Sequence, residues 1–279
     1  MSTYTTQDAI VNRHLLSKLK HLRLGGIHET LDVRVKQAID EQQSYLEFLQ
    51  RLLEDEIERR AQKQLAGRVR RANFQTDKTL TRFDFAFNPQ INKHQVLDLA
   101  TCQFVARKQS VLILGPSGVG KSHLAQALGW EACKRGYDVL YATCARLLSG
   151  LAAGRADGSY DRRLQAALRP DLLILDDFGL KPLRDPAQED MYDIINDRYE
   201  KGSILLTSNR AVSEFPALFG DPLLASAGLD RLLHDANIVI ANGPSYRAKH
   251  TTNTTNTIDT ESTDTDDKSF KEVHMPVTA

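Results

Sequence analysis

The stretch Val111-Leu-Ile-Leu-Gly-Pro-Ser-Gly-Val-Gly-Lys-Ser122 decides the fold. Its first four residues are all apolar, as in a strand buried on both faces of a parallel sheet. They run into Gly115, Pro116, Ser117, Gly118, Val119, Gly120, Lys121 and Ser122, an uninterrupted G-x-x-x-x-G-K-S. His123 to Trp130 then reads as helix, with Leu124 and Leu128 one turn apart on one face. Strand, glycine loop and helix occur in the order that a phosphate-binding loop requires.

These residue types suit a polyphosphate. Glycines at 115, 118 and 120 lack the Cβ that would keep backbone N–H groups away from the anion. The loop feeds a helix N-terminus, whose unpaired N–H groups and dipole favour negative charge. Lys121 brings a point charge to the β- and γ-phosphates, and the Ser122 hydroxyl is placed to ligate Mg²⁺. The candidate nucleotide-binding segment is therefore Gly115 to Ser122, with His123 beside it.

Composition sets the bounds. The chain has 279 residues, 41% of them hydrophobic, enough for one large domain or two small ones. Formal net charge is zero but unevenly spread. Residues 251–279 hold six Asp/Glu and two Lys, a net of −4. The remainder carries +4, which is compatible with a nucleic-acid partner without demanding one. Cys102, Cys133 and Cys144 have no C-x-x-C spacing and read as packing residues in a reducing cytosol. The first ten residues contain no apolar signal core and no stretch approaches 18 apolar residues, so a cytoplasmic protein off the membrane is expected.

Residues 1–66 read as an all-helical domain. Leu15, Leu19 and Leu22 form a stripe, Gly25-Gly26 breaks the helix, and a second helix covers 27–40. Ser44 and Glu47 make a capping box for a third, in which Leu46, Leu49, Leu53 and Ile57 recur at helical spacing. Such a unit is either a small domain with solvated charged faces or a docking module for DNA or protein. Residues 67–95 read as a basic linker. Arg68, Arg70 and Arg71 either touch phosphates or are simply solvated. Alternating Phe83, Phe85 and Phe87 predict an extended segment packed on the next domain. Residues 96–249 alternate helices with strands at 138–143, 172–175, 204–207 and 238–241. That pattern predicts a five-stranded parallel sheet with helices on both faces. The Thr/Asn/Asp-rich segment 250–279 has too few apolar residues to form a core and is expected to be disordered.

Four apolar residues ending in Asp176-Asp177 complete the site. Parallel strands end at one edge, so this pair is expected beside the glycine loop. Asp176 would orient the Mg²⁺ shell, and Asp177 stands where a general base polarises the attacking water. Asn209 ends the next strand, where an amide could bond the γ-phosphate or the water. Arg231, expected at the start of a short helix, and Arg247 are candidate transition-state cations. The alternatives are a turn-forming Asn and surface arginines of little energetic weight. No N-K-x-D base reader follows the loop, which points to adenine rather than guanine.

In combination, GPSGVGKSHLAQALG, LLILDDFG, LLTSNR, GLDRLLHDANIV and SYR resemble the IstB-type transposition helper ATPases. These are AAA+ proteins of bacterial insertion sequences, related to the DnaC helicase loaders. The leader LKHLRLGGIHETL is similar too, so the likeness spans roughly residues 10–248. It implies an AAA+ P-loop NTPase that binds ATP and Mg²⁺ and forms a homo-oligomer on duplex DNA. It further implies recruitment and stimulation of a transposase, with hydrolysis governing disassembly and target choice. By residue, it makes Lys121 and Ser122 the phosphate and Mg²⁺ ligands and Asp176 the metal carboxylate. Asp177 becomes the hydrolytic carboxylate, Asn209 and Arg247 the nucleotide sensors, and Arg231 a finger acting on a neighbour. Asp177 replaces the Glu of many AAA+ proteins, which implies slow or partner-dependent hydrolysis. Lys181 and Arg184, past the third strand, join the arginine cluster as candidate DNA contacts. A helicase loader using ATP as a switch, and a small-molecule kinase, are the competing readings. The kinase leaves Asn209, Arg231 and Arg247 unexplained.

Overall fold

In the computed structural model, residues 6–75 and 78–246 are described. Arg247 and the 250–279 segment lie outside them. Five parallel strands form the sheet: β1 (Val111–Leu114), β2 (Val139–Thr143), β3 (Leu172–Phe178), β4 (Ser203–Ser208) and β5 (Asn237–Ile240). Their spatial order is β2-β3-β4-β1-β5. Successive side chains alternate between two cores. Val111 and Ile113 face one, with Leu124 and Leu128 of the helix after the loop. Leu112 and Leu114 face the other, with Met191, Ile194 and Leu229. Helices on both faces are what a sheet read as continuous apolar runs demands.

The helices are α1 (Thr6–His21), α2 (Gly25–Asp40), α3 (Tyr45–Ala72), α4 (Lys93–Leu99), α5 (Gln103–Ala106) and α6 (Lys121–Lys134), then α7 (Cys144–Asp157), α8 (Tyr160–Leu168), α9 (Ala187–Arg198) and α10 (Pro222–Leu233). Cys102 adopts φ 60 and separates α4 from α5. The three cysteines are buried thiols, raised by burial to about 11 at Cys102 and Cys133 and about 12 at Cys144.

Two expectations for the N-terminal region need correction. The boundary placed at residues 66/67 falls inside α3, which runs 28 residues from its Ser44–Glu47 capping box to Ala72. Arg68, Arg70 and Arg71 therefore sit on a helix, not a linker. Gly67 is tolerated there because one interior glycine costs only ~1 kcal/mol against alanine. Beyond Asn73 the chain clamps onto the sheet-containing half: Phe74 stacks on Trp130, and the Gln75 N–H donates to Gln126 Oε1. The Phe83–Phe87 run is not extended throughout, because the Asp84 carboxylate accepts the Ala86 and Phe87 N–H groups and folds a turn.

The apolar stripe of α3 also faces outward: Leu46, Leu49, Leu53 and Ile57 are exposed. The buried face is Leu52 with Glu56, which meets Leu19, Ile27 and Leu31. Glu56 accepts the Gly26 and Ile27 N–H groups at 2.6 and 3.4 Å, capping the first turn of α2. Gly26 permits the approach, since a Cβ there would lie 2.6 Å from the Glu56 Cα. Of the predicted stripe, Leu19 is buried while Leu15, also on α1, and Leu22, just past its end, are exposed.

Arg34 grips Asp55 through Nε and Nη2 at 2.8 and 2.6 Å. That hydrogen-bonded guanidinium holds the Asp55 carboxyl down at about 2, against 3.8 ordinarily. Because the folded value is the lower one, the pair's stabilisation is complete above 3.8 and is lost as pH falls through about 2. Thermal unfolding of wild type and Asp55→Asn across pH checks this. The wild type is expected to unfold at the higher temperature at pH 7, with the gap closing in acid. A gap that persists at the acid end would contradict the pairing.

Candidate nucleotide-binding and hydrolysis site

The site lies at the carboxyl edge of the sheet, where β1, β3 and β4 end together. The Gly115 N–H donates to Ser208 O at the end of β4, which ties the loop to its neighbouring strand. Gly115 has φ +152, and a Cβ there would come within 2.0 Å of Ala241 O. Gly120, with φ +101, would collide with the Phe83 ring. These positions require glycine on conformational and steric grounds alike. Val119 is buried and anchors the loop in the first core, whereas Pro116 and Ser117 are exposed. Lys121 is buried and donates from Nζ to Pro116 O at 2.8 Å.

Asp176 is the buried hub. Its Oδ1 accepts from Ser122 Oγ at 2.9 Å and Thr207 Oγ1 at 2.5 Å, and its Oδ2 accepts from Tyr141 Oη at 2.6 Å. Burial, reinforced by the Asp176 acceptor, pushes the Tyr141 phenol far above its usual range, so it stays a donor. Three hydroxyls from α6, β2 and β4 thus orient one carboxylate. Thr207 Oγ1 also accepts the Asp177 N–H at 3.0 Å. Asp177 has φ 59 where the β3–β4 register shifts between Leu175 and Phe178. Such irregularities re-aim side chains next to sites. Here Asp176 stays inside while Asp177 is exposed and lines the cleft.

A hard divalent cation fits this donor set. The Ser122 hydroxyl and Asp176 carboxylate are adjacent oxygens beside the phosphate loop, and Mg²⁺ prefers one or two protein oxygens plus phosphates and water.

The loop opens on a cleft of ≈ 480 Å³ whose other wall is residues 78–88 and Tyr246. His123 Nε2 lies 2.9 Å from Thr79 O and its ring meets Phe83 edge-on. Burial lowers the His123 pKa, partly opposed by the Thr79 carbonyl.

The structure brings Gly118, Val119, Gly120, Lys121, Ser122, His123 and Asp177 together in this cleft. Asn209 is exposed just past β4 and outside the cleft lining. Arg231 is in the last turn of the 12-residue α10, not at a helix start, and donates to Ala227 O. It borders a cavity shared with Gln109 and Ser110 at the foot of β1, the sheet edge opposite the loop. Arg68 and Arg70 lie on α3, Arg71 pairs with Asp138 at 2.7 Å, and Lys181 and Arg184 are exposed past β3. Sequence reasoning missed Tyr141 and Thr207. Strand parity could have found Tyr141, since Thr143 pairs with Asp176 and Tyr141 stands two residues earlier.

A glycine loop between buried strand and helix, with a hydroxyl and a buried carboxylate at the same edge, defines a P-loop nucleoside-triphosphate-binding protein. Residues 17–254 match the family described as IstB-like ATP binding protein, and the chain belongs to that family. An ATP-binding protein named for an insertion sequence of Mycobacterium tuberculosis is 40% identical over 242 residues, covering 86% of this chain and 96% of that one. One named for IS21 of Pseudomonas aeruginosa is 40% identical over 235 residues, covering 84% and 88%. In fold, AMPPCP-bound DnaA from Aquifex aeolicus matches with TM-score 0.51 at 24% identity, over 68% of this chain and 57% of that one. A DnaI structure matches with TM-score 0.51 at 20% identity, over 59% and 90%. The fold is that of the AAA+ P-loop NTPases, with a helical N-terminal region. Among the described residues no helix is long and apolar enough to cross a membrane.

Tyr141→Phe strips Asp176 Oδ2 of its donor, and stability is expected to fall by about 1–3 kcal/mol. Urea unfolding should show a lower midpoint at unchanged slope. An unchanged midpoint would mean that the carboxylate does not depend on the phenol.

Proposed function

We propose that this chain is an ATP-hydrolysing regulator of transposition. It assembles as a homo-oligomer on duplex DNA in the cytoplasm, recruits and stimulates the transposase of its element, and uses hydrolysis to control disassembly and target choice. The observation that carries the reading is the joined Ser122–Asp176–Thr207–Asp177 network beside a complete phosphate loop, in a chain whose relatives are named for insertion sequences.

The loop amides and Lys121 hold the triphosphate. Ser122 and Asp176 hold Mg²⁺, which when bound neutralises charge on the phosphate oxygens. Asp177, exposed in the cleft, accepts a hydrogen bond from the attacking water and polarises it toward the γ-phosphorus. Its carboxylate is one methylene shorter than Glu, which suits a timed switch. Asn209 and Arg247 sense the γ-phosphate. Arg231 sits at the far edge of its own sheet, so it serves a neighbour's nucleotide rather than its own. Arg68, Arg70, Arg71, Lys181 and Arg184 contact DNA phosphates, which position the protein without reading sequence. Arg71 is available for this because an exposed pair such as Arg71–Asp138 holds it only weakly.

ATP turnover with and without duplex DNA, measured for wild type, Asp177→Asn and Arg231→Ala, tests the reading. Duplex DNA is expected to raise wild-type turnover, and Arg231→Ala to lower it on the order of 10³-fold. Mixing the two inactive variants should restore activity, because each supplies what the other lacks. Turnover that ignores DNA and survives Arg231→Ala would sink both the DNA-assembled oligomer and the trans-acting arginine. Affinity for duplexes of unrelated sequence should fall about 10²-fold between roughly 50 and 200 mM salt.

A further inference from the structure

Asn88 is 1% exposed, and among the described residues neither its Oδ1 nor its Nδ2 has a hydrogen-bond partner. A buried carboxamide with both ends unpaired is disfavoured and rare in folded proteins. The surroundings nevertheless admit it. Gly243 has φ +131, and a Cβ at that position would come within 2.3 Å of Asn88 Oδ1. Asn88 also borders the same cleft as Gly118, Lys121 and Ser122. Next to it, Phe87 and Tyr246 meet edge to face with ring centroids 5.0 Å apart. Tyr246 is fixed to the phosphate loop by its N–H, which donates to Gly118 O at 3.0 Å. One cleft therefore holds an anion-binding loop, aromatic surface, and an adjacent donor and acceptor that no described residue uses.

We propose that the Asn88 carboxamide reads the purine edge of the bound nucleotide, with Phe87 and Tyr246 supplying the ring surface against which the base lies. This rests on the reading of the loop as an ATP site. Adenine offers a donor at N6 beside an acceptor at N7, and a carboxamide meets both with its acceptor and its donor. Guanine offers two acceptors, O6 and N7, along the same edge, so Oδ1 would face a second acceptor. Asn88 is thus a specificity-determining residue: the loop binds any triphosphate, and the carboxamide selects adenine.

Calorimetric titration of the full chain with ATP, GTP and inorganic tripolyphosphate tests this, using wild type, Asn88→Leu and Asn88→Ala. Leucine keeps the side-chain shape and removes both orphaned polar atoms, so Asn88→Leu is expected to unfold at the same or a higher temperature than wild type. Both variants should bind ATP roughly tenfold more weakly, as for one lost bidentate contact, with the ATP-to-GTP preference collapsing toward one. Affinity for tripolyphosphate should stay within about twofold of wild type, because the phosphate loop is untouched. If all three ligands weaken together, or if Asn88→Leu melts well below wild type, Asn88 merely holds the cleft wall and the proposal fails. If ATP affinity and preference are unchanged, it fails as well. A wild-type chain that binds not even tripolyphosphate would instead overturn the underlying phosphate-loop reading.

Discussion

A carboxylate shut away from water sets the terms for the carboxyl edge of this sheet. Burying an ionised group without donors is strongly unfavourable, so Asp176 is compatible with the fold only if hydroxyls reach it. They come from three separately folded pieces: Ser122 from α6, Tyr141 from β2 and Thr207 from β4. Each can reach it only when β2, β3 and β4 are paired in the observed parallel register. The same constraint that satisfies Asp176 places Ser122 beside it and, through Thr207, fixes the backbone of Asp177. Fold and site are therefore one arrangement: the strands cannot slip without stranding the charge.

The two carboxylates show how a single step along the chain separates two chemistries. Asp176 and Asp177 are neighbours in sequence, yet one is buried and hydrogen-bonded while the other is exposed in the cleft. The left-handed conformation at Asp177 and the register shift before Phe178 make the difference. Asp is among the residues that tolerate this conformation, because its short polar side chain bonds locally. The inner carboxylate is suited to orienting a cation, and the outer one to meeting water.

Much of the nucleotide site could be read from the sequence because its residues are contiguous. The loop from Gly115 to Ser122 and the pair Asp176-Asp177 each sit at the end of an apolar run, and parallel strands bring such ends together. Tyr141 and Thr207 were not legible, since their role depends on which strands become neighbours, and strand order does not follow chain order. Asn88 was hidden for a related reason: segment 78–88 returns over the glycine loop through tertiary contacts such as Phe83 against Gly120. The stripe of Leu46, Leu49, Leu53 and Ile57 misleads as a core signal. Periodicity identifies a helix and its apolar face, but it does not say whether that face finds a partner within the chain. On α3 the buried side is instead chosen by Glu56, which satisfies the start of α2.

The unbroken α3 also makes the two halves of the molecule mechanically inseparable. At 1.5 Å per residue its 28 residues span about 42 Å. Its first half packs on α2, and Phe74, just past its last turn, is stacked on Trp130 of α6. The helix that begins at Lys121 is thus joined to the N-terminal helices through one unbroken helix and the Phe74–Trp130 stack that follows it. A load placed on α2 by a bound partner would be carried along α3 toward Phe74 and α6. For the same reason, residue 66 is not a loop between two pieces but a position inside a helix. A cut there leaves both fragments with a broken α3 and takes Leu65 away from the core that Ala72 and Phe74 join.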